Sequence, residues 1–242
     1  MCLIALAYKL HPHYPLVLAA NRDEFRARPA DAAHWWNDAP NILAGRDRQA
    51  GGTWLGVHRN GRFAALTNHR DLRRPARQGP SRGSLVHQAL QQEPPLQEAD
   101  RYEGFNLLHG TLDALHCFSN VTGTGVALPP GIHGLSNAFL NSPWPKVQRA
   151  TEGLAATLQQ DPATWTEALF TLLKDDRTAA PHLLPDTGLS TEQEAALSSI
   201  HIDLPHYGTR CSTVLLVDQQ GTVTFVERTW PAGTEVREVF TL

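Results

Sequence analysis

A cysteine stands at the second position of this chain, and the residues that can modify its chemistry lie about twenty positions on. Cys2 opens a short apolar run, residues 2–8, and a second run leads into Asn21-Arg22-Asp23-Glu24. Between them His11-Pro12-His13-Tyr14-Pro15 reads as a loop. Two short runs of strand formers joined by a turn predict an antiparallel hairpin. With Leu10 opposite Tyr14, paired residue numbers sum to about 24, which sets Cys2 across from Arg22, with Asp23 just beyond. A guanidinium beside a thiol favours the thiolate. Asp23 can orient Arg22 or hold an ammonium group. If Met1 is removed, the α-amine of Cys2, ordinarily near ~7.7–8.0, sits beside a thiol near ~8.5. One residue then supplies nucleophile and base together, for acyl transfer. The plainer alternatives are an incidental buried thiol and a solvated cluster of charges at a strand end.

Acyl transfer also needs donors for a developing oxyanion. Asn68 and Asn137 fall at strand or loop ends, where an amide can serve either that role or a turn. Arg210 follows Tyr207-Gly208-Thr209 at the start of a strand and could clamp a carboxylate or sit at the surface. The 12 histidines are scattered, with no His-Glu-x-x-His and no zinc spacing, so we expect surface histidines and no metal site. The adjacent Trp35-Trp36 pair fits core or rim packing better than a ligand platform.

The elements that must position these residues follow in order. Residues 25–40 are turn-rich. Strands are expected over 41–45, 53–58 and 62–68, the last two joined by the Asn60-Gly61 turn. A helix capped by Ser81 or Ser84 buries Leu85, Val86, Ala89 and Leu90 and stops before Pro94-Pro95. Residues 104–110 and 113–120 form a second hairpin. Helices are expected over 143–160 and 163–173, with Pro145 in the first turn. Thr191 caps a short helix over 192–199, with Glu194 completing a capping box. Strands over 210–217, 222–228 and 236–240 close the chain. All recognisable turns are hairpin turns, and nothing repeats as βαβ. The expected class is α+β, one domain over residues 1–242, with largely antiparallel strands split into two sheets covered by helices.

Composition narrows the functions. The chain has 242 residues, 41% hydrophobic and 19% charged, with a net charge of −3. That suits a soluble globular protein and gives no electrostatic case for nucleic acid. The one basic stretch, residues 70–77, reads as a solvated turn. No run approaches the ~18 apolar residues of a membrane span, and no basic region precedes residues 3–8 as in a secretory signal. Three cysteines, Cys2, Cys117 and Cys211, make an odd count without Cys-x-x-Cys, which points to a reducing, cytoplasmic setting.

Motifs spread along the chain resemble the NRDE family, also called the transport-and-Golgi-organisation protein 2 family. They are Met1-Cys2, LAANRDEF (18–25) followed by RP (28–29), GGTWLG (51–56), AALTN (64–68), SRGSLV (81–86), GFNLL (104–108), GLSNA (134–138), PWPKV (143–147), YGTR (207–210) and FVER (225–228). The resemblance implies an αββα sandwich of the N-terminal-nucleophile hydrolase type. Cysteine-type members of that superfamily, the penicillin and bile-salt acylases, begin with Cys, carry Arg and Asp after the first hairpin, and add two asparagines and a late arginine. Cys2, Arg22, Asp23, Asn68, Asn137 and Arg210 occupy comparable places. Arg22 and Asp23 are adjacent here, unlike in the acylases, and Cys211 stands where a serine is expected. The implied activity is hydrolysis of an amide or acyl substrate by Cys2, with no cofactor. The rival implication is a non-enzymatic carrier of haem or lipid, because the family's eukaryotic members are associated with handling both.

Overall fold

The computed structural model describes residues 2–75 and 77–242. In chain order the strands are β1 (Cys2–His11), β2 (Tyr14–Phe25), β3 (Ala30–Trp35), β4 (Ile42–Asp47), β5 (Leu55–His58), β6 (Phe63–Asn68), β7 (Phe105–Gly110), β8 (Leu115–Ser119), β9 (Thr124–Ala127), β10 (Gly131–Leu135), β11 (Tyr207–Val217), β12 (Thr222–Thr229) and β13 (Glu235–Thr241). The α-helices are α1 (Gly83–Gln91), α2 (Pro145–Thr157), α3 (Trp165–Leu173) and α4 (Thr191–Ala196). The strands form two antiparallel sheets. The first runs β10-β1-β2-β11-β12-β13 and the second β3-β4-β5-β6-β7-β8-β9.

The burial pattern of β1 explains the layering. Side chains alternate across a strand. Leu3, Ala5 and Ala7 face outward and pack with Val147, Leu154, Trp165 and Phe170 of α2 and α3. Ile4, Leu6 and Tyr8 face inward and pack with Leu43, Leu55, Phe63 and Leu108 of the second sheet. Both faces are covered, so β1 is nearly continuously apolar. The outer face of the second sheet, with Ile42, Ala64 and Leu107, is closed by Leu85, Val86 and Leu90 of α1. The layers are therefore helices, sheet, sheet, helix, an αββα sandwich of the α+β class.

The first hairpin keeps the expected register at its open end: Cys2 pairs with Arg22 and Leu3 with Asn21. At the turn it differs. His11, not Leu10, faces Tyr14, because a bulge between Tyr8 and His11 absorbs one residue, with Lys9 at φ 48. Residues 25–40 are not only turns, since β3 lies within them and pairs with β4. The α1 N-cap is Arg82, without a side-chain cap, in place of Ser81 or Ser84. At α4 the capping box is Ser190 with Gln193, one residue earlier than expected, which leaves Glu194 to turn inward. Trp36 is fully buried under α1, while Trp35 is partly buried between the sheets. The basic stretch is only partly solvated, because Arg70 is buried. His109 and His133 are buried rather than at the surface.

One close approach fixes the site's floor. A Cβ on Gly52 would lie 2.4 Å from the carbonyl carbon of Gly83, so the Gly-Gly turn can cross the start of α1 only without a side chain. No helix among the described residues is long and apolar enough to cross a membrane. Leu18 is fully buried between the sheets, whereas Val239 is exposed on the edge strand β13. Leu18→Ala is expected to lower the unfolding free energy by ~2–5 kcal/mol and Val239→Ala to change it by less than ~0.5 kcal/mol, read by urea denaturation.

Candidate active site

Cys2, Arg22 and Cys211 form one row across three neighbouring strands, since Arg22 pairs with Cys2 on one side and Cys211 on the other. Directly opposed residues share a face, so all three point between the sheets, as Ile4 and Ala20 do. The Arg22 guanidinium lies 4.2 Å from the ring centroid of Trp54, just before β5 in the second sheet. Arg22 is 5% exposed, and its Nη1 is buried with no hydrogen-bond partner. A buried guanidinium with an unused donor is costly unless something else binds it.

Asp23 is the next residue and sits on the opposite face. Its carboxylate accepts from Thr209 Oγ1 at 2.7 Å, and Thr209 Oγ1 in turn accepts from the N–H of Ile202. The backbone N–H of Asp23 donates to the Cys2 sulfur. Burial pushes the Asp23 carboxyl up, opposed by the charge of Lys146.

Arg22 lowers the Cys2 thiol as expected, but burial outweighs it and the net shift is upward. Burial raises the Cys2 thiol, and the Asp23 carboxylate adds to this. Arg22 and the Asp23 N–H pull it down without prevailing. Cys117 is pushed up to about 12 and Cys211 well above the ordinary thiol value, both through burial.

Asn68 ends β6 and shares with Cys2, Arg22 and Asp23 the wall of a polar chamber of about 100 Å³. Asn137 does not line this chamber. It is fully buried behind it, with Nδ2 donating to the Asn68 carbonyl at 2.9 Å and Oδ1 accepting from Ser136 Oγ at 3.2 Å. Ser136 Oγ also donates to the Cys2 carbonyl at 2.9 Å. Asn137 thus ties the end of β6 to the start of β1. Arg210 lies outside the chamber wall as well. Its Nη1 donates to the carbonyls of Phe25, Arg26 and Arg28 at 3.0–3.1 Å, so it holds the turn after β2 rather than a carboxylate.

Several residues of the site escaped the reading of the sequence. Trp54 and Arg82 lie inside the GGTWLG and SRGSLV motifs, but only the fold brings them to the chamber. Lys146, within PWPKV, is 2% exposed and donates to the Leu197 carbonyl at 3.1 Å. Burial drops it from 10.5 to about 8, with the Asp23 charge opposing and Arg70 adding.

Beside the chamber opens a trough of about 750 Å³, with Phe25, Leu72, Leu189, Leu197, Leu204 and Tyr207 among its walls. Asn68 and Arg82 border both spaces. A buried ion pair, Arg70 Nη2 to Glu194 Oε2 at 2.7 Å, fastens α4 as one wall, and Glu194 also accepts from the N–H of Thr187 at 3.0 Å.

A family model described as Transport and Golgi organisation 2 matches residues 1–232. The chain belongs to this family. Transport and Golgi organisation homologues from Bos taurus and Homo sapiens are 35% and 32% identical to it, each over 94% of this chain and 92% of the relative. The Drosophila melanogaster protein is 30% identical over 95% and 92%. Among solved structures, a Caenorhabditis elegans N-acylethanolamine-hydrolyzing acid amidase ortholog matches with a TM-score of 0.45 and 10% identity, over 89% of this chain and 92% of that one. A mutant conjugated bile acid hydrolase from Clostridium perfringens matches at 0.43 and 7%, over 100% and 96%. At that distance the chemistry of this family member rests on its own residues.

Lys146 gives a pH test of its burial. Its folded value lies below the ordinary lysine value, so the unfolded chain binds the proton more readily between the two. The unfavourable contribution is full below about 8 and fades as the pH rises toward 10.5. Relative to Lys146→Met, wild type is expected to gain on the order of 2–3 kcal/mol between pH 7 and pH 10 in urea unfolding. Parallel pH curves for the two proteins count against it.

Proposed function

We propose that this family member is an amidohydrolase whose nucleophile is Cys2, acting on an amide or acyl substrate with a sizeable apolar part. The observation that supports it is the meeting of Cys2, Arg22 and Asn68 on one polar chamber that adjoins an apolar trough. In the chain from which Met1 has been removed, the Cys2 α-amine takes the thiol proton as sulfur attacks the carbonyl carbon. The Asn68 amide holds the oxyanion, with Asn137 and Arg210 as positioning residues. The C–N bond breaks, the α-amine returns its proton to the leaving amine, and a thioester remains on Cys2. Water then attacks the thioester, releasing the carboxylic acid and restoring the thiol. Asp23 holds the α-ammonium and is the residue whose backbone faces the sulfur. The free thiols accord with a cytoplasmic setting.

A carrier of haem or lipid is the second reading, favoured by the trough itself. His69 lines it, and burial lowers its pKa, so it is a neutral imidazole near pH 7. A neutral imidazole is a ligand of haem iron.

The two readings separate in one experiment. Intact mass first establishes whether Met1 is lost. A panel of N-acyl amides and thioesters is then offered to wild type and Cys2→Ala, and haem is titrated into wild type, Cys2→Ala and His69→Ala. Turnover abolished in Cys2→Ala supports the hydrolase. No turnover, with saturable haem binding that survives Cys2→Ala and is lost in His69→Ala, leaves the carrier.

Thiol labelling tests the site from another side. An alkylating agent near neutral pH is expected to modify Cys2 at least ~10-fold faster than Cys117 or Cys211, followed by peptide mass spectrometry, because Cys2 is partly exposed whereas those two are buried. The Cys2 rate is expected to fall in Arg22→Ala. Equal rates in both proteins would remove Arg22 from the chemistry of the thiol.

A further inference from the structure

Of the charged groups on the chamber wall, some are balanced by protein and some are not. Asp47 accepts from Arg28 Nε at 2.7 Å and from the N–H groups of Gln49 and Ala50. Glu24 accepts from the N–H of Phe25 and lies 3.9 Å from Arg28. Asp23 accepts from Thr209 on the far face of the sheet. The carboxylates are thus occupied. The arginines Arg22 and Arg82 have no ion-pair partner among the described residues, although the charges of Glu103 and Glu24 act on Arg82 from a distance. Arg22 Nη1 is unpartnered and buried, and Arg82 Nη1 donates to a neutral carbonyl, that of Gly104, at 3.1 Å.

The start of α1 stands on the same wall, at Ser81, Arg82 and Gly83. This nine-residue helix has no side-chain cap and no acidic residue in its first turn, so the positive end of its dipole is not offset locally. A Cβ on Gly83 would come within 3.0 Å of the Thr53 carbonyl, so the helix start lies directly against the turn that floors the chamber.

We infer that the chamber is a subsite for a compact anion, a carboxylate carried on the amine half of the substrate, held by Arg22 and Arg82 beside the positive end of α1. The inference rests on the hydrolase reading for which half lies where. With the scissile carbonyl at Cys2 and Asn68, the apolar acyl chain lies in the trough and the amine half enters the chamber. A volume of about 100 Å³ admits a group the size of an amino acid and not a second chain. The substrate class is then the N-acyl amino acids, as against neutral N-acyl amides of the same length. An arginine fork binds a carboxylate through several N–H groups at once, and the positive end of a helix dipole favours an anion beside it.

The test uses two ligands that differ at that end alone, N-lauroylglycine and N-lauroylethanolamine. Their dissociation constants are measured by calorimetry on Cys2→Ala, which cannot turn them over through sulfur, and kcat/KM is measured on wild type. The carboxylate ligand is expected to bind at least ~10-fold tighter, as a charged hydrogen-bond partner warrants. In Cys2→Ala carrying Arg82→Gln the ratio of the two affinities is expected to fall several-fold, and added salt should narrow it in the Arg82 protein. Thermal unfolding of the variant checks that it folds, and Arg82→Lys, which keeps the charge, should recover part of the ratio. Equal affinities, no binding of either ligand, or a ratio indifferent to Arg82→Gln in a folded variant each overturns the subsite. Wild type that hydrolyses both ligands equally keeps the hydrolase and loses the subsite. Preferential binding of the carboxylate without any turnover keeps the subsite and loses the hydrolase.

Discussion

A positive charge held inside the sandwich, at Arg22, is the constraint on which the rest of this site depends. A guanidinium removed from water needs partners. Here the flat face rests on Trp54, which supplies cation–π attraction but no hydrogen-bond acceptor, and Nη1 is left over. The two sheets are packed around Arg22 at the open ends of β1, β2 and β11, where Cys2 and Cys211 flank it in register. Glu227, buried one row further into the sandwich, accepts from the N–H of Ala33 at 2.7 Å, and burial pushes its carboxyl up while the Arg22 charge opposes this. The site is thus a place where the interior of the protein has been left electrostatically incomplete.

The alternation of side chains along β2 divides the chemistry between two faces. Arg22 points between the sheets with Cys2. Asn21 and Asp23 point the other way, toward α2 and α3, where Asn21 donates to the carbonyls of Leu173 and Ile200 and accepts from Ser212. This is the structural meaning of the adjacency of Arg22 and Asp23. Two neighbouring residues cannot both face the sulfur with their side chains, so Asp23 reaches it through its backbone N–H and keeps its carboxylate for Thr209 and the field of Lys146.

The first hairpin was legible because two apolar runs and a proline-broken loop leave little choice, and the bulge near Lys9 fell at the turn, away from Cys2. The last three strands and α1 to α3 were legible for similar reasons of period and turn chemistry. β3 was not. Its sequence is broken by alanines and an aspartate, and a distant carboxylate, Glu227, completes its backbone bonding at Ala33. The capping box of α4 was misplaced by one residue, which hid Glu194, whose partner Arg70 lies far away in sequence. Asn68 reached the chamber, while Asn137 and Arg210 serve backbone carbonyls near it. Residue type pointed to the neighbourhood in these cases. Which atom a side chain bonds depended on long-range packing that spacing does not encode.

The raised thiol of Cys2 and the unpartnered Arg22 bear on each other. If Arg22 rested as the counter-ion of a thiolate, an anionic ligand on its guanidinium would compete with the sulfur for the same charge. Burial instead favours the protonated sulfur. A carboxylate can then occupy Arg22 without displacing a thiolate, because none is standing there. The proton must leave at the moment of attack, and the group that takes it must lie within reach of sulfur. In the proposed hydrolase, an α-amine on the same residue would satisfy that requirement, and Asp23, one peptide unit from Arg22, would hold the resulting ammonium. Ligand charge and proton transfer would then fall on opposite faces of β2, joined by the single peptide whose N–H meets the sulfur.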